Sequence, residues 1–151
     1  MQPPQQKIEL RPASQRELYS ITAMTREFFP YTGFTFGTIV ERMRNPDIQY
    51  FVALADGHTV GFVDLEMQAN GDAKILGLAV LKEWQEKGIG KMLLEKAVDA
   101  AKENGAKNVV MLVAEDNATA QGLYGKFGFK KTGVLDRKLW DKTVLLYSKK
   151  L

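Results

Sequence analysis

Leu78-Ala79-Val80-Leu81-Lys82-Glu83-Trp84-Gln85-Glu86-Lys87-Gly88-Ile89-Gly90-Lys91 is the stretch on which the reading of this chain turns. An apolar strand runs into a glycine-containing turn, and from Ile89 the hydrophobic period changes. Ile89, Met92, Leu93, Ala97, Ala100 and Ala101 share one helical face, and Gly105 supplies a C-terminal stop. The first amides of such a helix lack intrahelical partners, and the helix dipole adds partial positive charge, so the turn suits an anion such as a pyrophosphate. Gly88 and Gly90 are expected to let phosphates reach the backbone, with Lys87 and Lys91 adding charge at the rim. Two other phosphate motifs fail on residues they require. A Walker loop needs a glycine where Gln85 stands and Ser or Thr where Met92 stands, and a dinucleotide fingerprint needs a third glycine where Leu93 stands.

Upstream, Ile8 to Arg11 reads as a short strand, and Ser14-Gln15-Arg16-Glu17 has capping-box spacing that opens a helix through about Phe28. Thr38 and Glu41 repeat that spacing, predicting a short second helix that stops near Asn45, before Pro46. Between the helices, Phe28 to Phe36 holds five aromatics in nine residues, unusual apolar content for a loop. Strands over Ile48 to Ala55, Thr59 to Gln68 and Ala73 to Leu81, joined at Asp56-Gly57 and Asn70-Gly71-Asp72, predict an antiparallel meander. Val109 to Val113 is a continuous apolar run, as expected of a strand covered on both faces and parallel to the one ending near Leu81. A helix over Ala118 to Phe127 and strands near Phe129 to Val134 and Thr143 to Ser148 complete an α/β chain with one mixed sheet, read as one domain over residues 1–151.

Composition narrows the chemistry. The 151 residues are 45% hydrophobic and 26% charged, with net charge +3 and enough chain to bury a core without staples. No cysteine is present, which removes disulfides, thiolate metal sites and a cysteine nucleophile, and the lone His58 leaves no Ser-His-Asp triad or multi-histidine metal centre. No metal is expected. Lys130-Lys131, Arg137-Lys138 and Lys149-Lys150 read as solvated surface, so neither nucleic acid nor membrane is an expected partner. With no leader and no apolar stretch of about 18 residues, a cytoplasmic protein is predicted.

The turn does not stand alone. Gln85-x-x-Gly88-x-Gly90, preceded by the strand Leu76 to Val80, resembles the Gln/Arg-x-x-Gly-x-Gly/Ala signature of the GNAT superfamily of acyl-CoA-dependent N-acyltransferases. Asn117-Ala118-Thr119-Ala120-Gln121-Gly122-Leu123-Tyr124-Gly125-Lys126-Phe127-Gly128-Phe129 is similar to the family's Asn-x-x-Ala-x-x-x-Tyr-x-x-x-Gly-Phe segment, and Leu10-Arg11-Pro12-Ala13 to its first strand. The resemblance implies a mostly antiparallel sheet with a central, splayed parallel strand pair flanked by helices. It implies acetyl-CoA as acyl donor, with pantetheine in the gap between Leu78–Leu81 and Val109–Val113, against the backbone of Leu78, Ala79 and Val80. The pyrophosphate would sit on the amides of Gln85, Glu86, Lys87, Gly88, Ile89, Gly90 and Lys91, and Asn117, also readable as a plain helix cap, would touch the pantetheine arm.

The reaction so implied is direct attack of an unprotonated amine on the thioester in a ternary complex. Tyr124 matches the family tyrosine that protonates the leaving thiolate, although Ala120, Leu123, Tyr124 and Phe127 also form an apolar helical face on which it would simply pack. The Val80 amide would polarise the carbonyl. The family's base positions carry Lys74 and Leu112 here, so neither base transfers. Asp64 and Glu66 lie on one strand face, otherwise expected to be solvated, and Glu115 lies near the end of the next parallel strand; of the three, Glu66 is taken as the candidate base, with a water chain as the alternative. Phe29, Tyr31, Phe34 and Phe36 either wall the acceptor pocket, where ring faces attract cations, or plug the core. Trp84 and Trp140 are expected to be packing anchors, His58 a hairpin surface residue, and the methionines core filler. The expected acceptor is a small amine, amino acid or antibiotic-like compound; a protein N-terminus or lysine is the second reading, and a non-enzymatic acyl-CoA sensor the third. Members of the family are often dimers, so a homodimer is among the expected states.

Overall fold

A computed structural model describes residues 7–139 and 141–151. The reading of Trp140, and that of the first six residues, lies outside the described residues. Strand β1 (Ile8–Pro12) is followed by a 3-10 turn over Gln15–Glu17 and helix α1 (Leu18–Phe28). Ser14 and Glu17 form the predicted capping box, and Glu17 serves a second purpose: Arg11 of β1 grips both of its carboxylate oxygens at 2.7 and 2.9 Å. That guanidinium holds the Glu17 carboxyl down at about 2, tying the first strand to the first helix.

Helix α2 (Phe36–Arg44) starts three residues earlier than predicted, because Thr35, not Thr38, is the cap; the two threonines exchange hydrogen bonds with each other's backbone amides. The meander follows as β2 (Ile48–Ala55), β3 (His58–Met67) and β4 (Ala73–Val80), each boundary within a residue of its sequence expectation. Helix α3 (Ile89–Glu103), strand β5 (Asn108–Ala114), helix α4 (Ala118–Lys126) and strands β6 (Lys130–Val134) and β7 (Val144–Lys150) complete the chain.

The seven strands form one sheet in the order β1-β2-β3-β4-β5-β7-β6, antiparallel except for the central β4–β5 pair. Two cores lie on its opposite faces. Ile89, Leu93, Leu94 and Ala97 of α3 pack on Val63, Leu65, Ile75 and Val109, while Ile21, Met24 and Ile39 of α1 and α2 pack on Tyr50, Val52, Phe62 and Ala79. Strand β5 alternates rather than being covered on both faces: Val109, Met111 and Val113 are buried, whereas Val110 and Leu112 are half-buried. Its second face is only partly covered because α1 and α2 sit over β2 to β4. Lys149 also departs from a purely solvated role, donating to the Phe127 carbonyl at 2.7 Å. Among the described residues, no helix is long and apolar enough to cross a membrane.

Candidate active site

The parallel pair opens almost at once. β4 and β5 are in register only at Ala73–Val109, Lys74–Val110 and Ile75–Met111; beyond Ile75, β4 continues to Val80 with no partner on that side. The parting coincides with a bulge, since Asp64 of β3 faces Gly77 while the adjacent Leu65 faces Ile75, leaving Leu76 as the extra residue. Bulges bend the strand that carries them. Leu78, Ala79 and Val80 stay fixed by β3 on one edge and leave the other free, which is the splayed pair that the resemblance implies.

Above this opening the chain turns into α3 through two left-handed residues, Glu86 (φ 63°) and Gly88 (φ 85°). Gln85 folds its side chain back to donate to the Val80 carbonyl at 2.9 Å, tying the turn to the end of β4. The first helical bond runs from the Met92 amide to the Gly88 carbonyl, and none of the amides from Glu86 to Lys91 donates to a group among the described residues. Six consecutive free donors at a helix N-terminus form a concavity suited to a diphosphate. The two glycines serve different ends. At Gly88 a side chain would meet nothing within 4 Å, so its glycine answers to the positive φ and leaves the amides uncovered, whereas a Cβ at Gly90 would point inward, 3.5 Å from Leu123 and 4.0 Å from Val80. A Cβ at Gly90 would thus sit at ordinary contact distance, so packing alone does not require glycine there. Lys87 lies over the Trp84 ring at 5.5 Å, and Trp84 is partly buried as a packing anchor.

On the far side of the opening, Tyr124 leans into the core beside α3, its ring 6.2 Å from Phe129 and 6.4 Å from Tyr147. Burial pushes its hydroxyl up to about 12. Among the described residues that hydroxyl donates to no protein group, and no buried side-chain polar atom lacks a partner, so it reaches solvent. Gln121, about one turn before Tyr124 on α4, donates to the carbonyl of Glu115 at 2.7 Å and accepts from the Tyr147 hydroxyl at 3.3 Å, fixing α4 to the end of β5. Asn117 is the helix cap, its side chain accepting from the Ala120 amide at 3.1 Å.

The acceptor-side residues divide. Phe29 packs edge-on to Phe62 and Tyr31, Phe34 lies over the Arg42 guanidinium at 5.0 Å, and Tyr31 is half exposed. Phe36 is exposed and stacks on the exposed Tyr19, their ring centroids 4.8 Å apart. Glu66 stands opposite Lys74, in the closed part of the β4–β5 pair, with its carboxylate held by Gln68 at 2.6 Å. Six residues of extended chain, roughly 20 Å, separate Lys74 from Val80, so Glu66 stands beside the last paired residues of β4 and β5 and not along the free edge of Leu78–Val80. Glu115 is exposed at the end of β5, and His58 is exposed beside its hairpin turn. Asp64, expected on a solvated face, is instead 4% exposed and joined to Arg42 of α2 at 2.6 Å. The sequence signal for this pair was weak, because its partners lie 22 residues apart on different elements.

The fit to a diphosphate-bearing donor thus rests on free amides, an open strand edge and a solvent-reaching phenol. Comparison with known proteins agrees. Residues 10–129 match the family model described as Acetyltransferase (GNAT) family. An N-alpha-acetyltransferase of Sulfurisphaera tokodaii is 31% identical over 121 residues, 72% of this chain and 70% of that protein. A spermidine N(1)-acetyltransferase of Thermoplasma acidophilum is 36% identical over 92 residues, 61% of this chain but only 56% of that protein, less than two thirds of its length. In structure, the PaiA N-acetyltransferase of Thermoplasma acidophilum in complex with coenzyme A superposes with a TM-score of 0.78 at 27% identity, covering 96% of this chain and 99% of that one. Fold, opening, amide cradle and family match converge: the chain belongs to the acetyltransferase (GNAT) family.

Proposed function

We propose that this protein is an N-acetyltransferase that moves an acetyl group from acetyl-CoA to the primary amine of a small molecule, by direct attack in a ternary complex. The observation that carries the reading is the run of free amides from Glu86 to Lys91 set above the unpaired edge of Leu78–Val80. On this reading the amides hold the pyrophosphate, with Lys87 and Lys91 at the rim. Leu78, Ala79 and Val80 present backbone to the pantetheine, and the Val80 amide polarises the thioester carbonyl. Asn117, already committed to its cap, contributes at most its exposed edge. With no cysteine in the chain, no thioester can form on the enzyme.

Tyr124 serves as the acid that protonates the departing sulfur. A phenol near 12 is a weaker donor than a free one, but the burial that raises it also raises the proton affinity of a thiolate formed beside it, so the two stay matched. Phe29, Tyr31 and Phe34 wall the acceptor side. A peptide N-terminus is the second reading, favoured by the longer match to the N-alpha-acetyltransferase relative. Thiol release from acetyl-CoA, followed with spermidine, a free amino acid and an alanine-initiated peptide, separates these readings. Transfer to the peptide alone would favour the second, and acetyl-CoA binding without transfer to any of them would leave a sensor.

A further inference from the structure

One buried ionisable cluster has no part in the chemistry so far. The Asp64 carboxylate gives Oδ2 to the Arg42 Nη2 at 2.6 Å, while the Arg42 Nε donates to the Tyr50 hydroxyl at 2.8 Å and Phe34 covers the guanidinium. Oδ1 points the other way, across β4: a Cβ on Gly77 would stand 2.8 Å from it and 3.4 Å from the Phe29 ring. Glycine at 77 is what lets a carboxylate lie over this point of the strand. The point matters, because Gly77 is two residues past the last β4–β5 pair and one before Leu78. The face matters too, since Asp64 shares its side of the sheet with Phe62, below α1, α2 and the aromatic loop, and opposite α3.

We propose that Asp64 is the proton acceptor for the attacking amine, and that Arg42 and Tyr50 are positioning residues that aim its free oxygen at the apex of the strand opening. The inference rests on the transferase reading above. A buried ion pair contributes little to stability compared with apolar packing of the same volume, and this one sits beside the apex of the strand opening, with Phe29 as the adjacent wall. Besides Arg42 of α2 and Tyr50 of β2, the groups facing Asp64 are uncharged: Gly77 of β4 and Phe29 at the end of α1. Burial raises its carboxyl to about 6 against the opposing pull of Arg42 and Tyr50, so it is ionised at neutral pH and still basic enough to take a proton.

The protons balance. The acceptor ammonium gives one proton to Asp64, directly or across one water, and its freed lone pair forms the C–N bond as the C–S bond breaks. Tyr124 protonates the sulfur, and the second proton lost from nitrogen restores the Tyr124 phenol. Asp64 returns its proton to solvent, for a net release of one.

The test is the pH dependence of kcat/KM with two acceptors of different basicity, spermidine and an alanine-initiated peptide, whose amines titrate about two pH units apart. Wild type should show an acid limb near pH 6 with both. Tyr50→Phe should move that limb upward, because the Tyr50 hydroxyl favours the ionised Asp64 carboxylate and would be gone. Asp64→Asn should abolish it and lower kcat at least about a hundredfold, with the acetyl-CoA-induced thermal shift retained. A limb that follows each amine's own ionisation, or full kcat in Asp64→Asn, overturns the proposal while leaving the transferase reading intact. If Asp64→Asn does not fold, the wild-type and Tyr50→Phe profiles decide. A wild type that binds acetyl-CoA but acetylates neither acceptor overturns the transferase reading, and this inference with it.

Discussion

Replacing Tyr124 with phenylalanine deletes one oxygen from a ring whose packing does not depend on it. The ring is held by Phe129, Tyr147 and the core beneath it, and among the described residues the hydroxyl makes no protein hydrogen bond. The stability cost should therefore be within about 0.5 kcal/mol, as for a surface change. The catalytic cost should be far larger. A positioned general acid contributes roughly a hundredfold to ten-thousandfold, equivalent to about 2.7 to 5.5 kcal/mol of barrier at 1.36 kcal/mol per decade. Because the hydroxyl acts on the leaving sulfur and not on the bound pyrophosphate, the loss should fall on kcat, with the KM for acetyl-CoA within about twofold. The assay is thiol release at saturating acetyl-CoA, beside the urea midpoint of each protein. Tyr147→Phe is the control, since it removes a hydroxyl of the same cluster that bonds Gln121 instead of reaching the opening. The reasoning is refuted if Tyr124→Phe keeps more than a tenth of wild-type kcat, or if Tyr147→Phe loses as much.

Other expectations follow from the geometry. Gly90→Ala should fold and bind acetyl-CoA nearly as wild type, because its Cβ meets Leu123 at an ordinary 3.5 Å; Gly90→Val adds two methyls there and should weaken binding by calorimetry, either directly or by displacing α4. For Glu17, held at about 2 against an ordinary 4.5, the stabilisation is complete above pH 4.5 and lost as pH falls toward 2. Urea midpoints of wild type and Glu17→Gln should thus converge between pH 4.5 and 2. Asp64 runs oppositely, its raised carboxyl favouring the fold below pH 3.8 and losing that contribution as pH rises through 6, so the difference between the two proteins is the quantity to follow. Thr35→Ala should cost about 1 kcal/mol by denaturant unfolding through loss of the true α2 cap, whereas Thr38→Ala should cost less.

Local chemistry made much of this legible in advance. Asp56-Gly57 and Asn70-Gly71-Asp72 place the hairpins, the shift to a helical period at Ile89 places α3, and the need for unpaired amides at that helix start follows from sequence alone. What the sequence hides is set by residues distant along the chain. The spacing of Thr38 and Glu41 marks one helix start, but the cap is Thr35, whose partner three residues on is a threonine and not the Glu or Gln that a capping box usually carries. The bulge at Leu76 arises from the register of β3 against β4 and has no local mark in the sequence. Asp64 and Glu66 look equivalent on an alternating strand, yet the bulge puts Asp64 at the apex of the opening and Glu66 in the closed pair, and α2 brings Arg42 to only one of them. Gly77 reads as a weak strand residue until Asp64 is seen lying across it.

The central claim is that the free amides and the unpaired β4 edge hold acetyl-CoA. Thermal unfolding of the protein with acetyl-CoA, CoA, ATP and NAD in parallel tests it most directly, since a ligand at about 100 times its dissociation constant adds roughly 2.7 kcal/mol of apparent stability. Stabilisation by both CoA species, exceeding that by ATP or NAD, is the predicted result. No shift with CoA, or a larger one with ATP or NAD, would contradict the account.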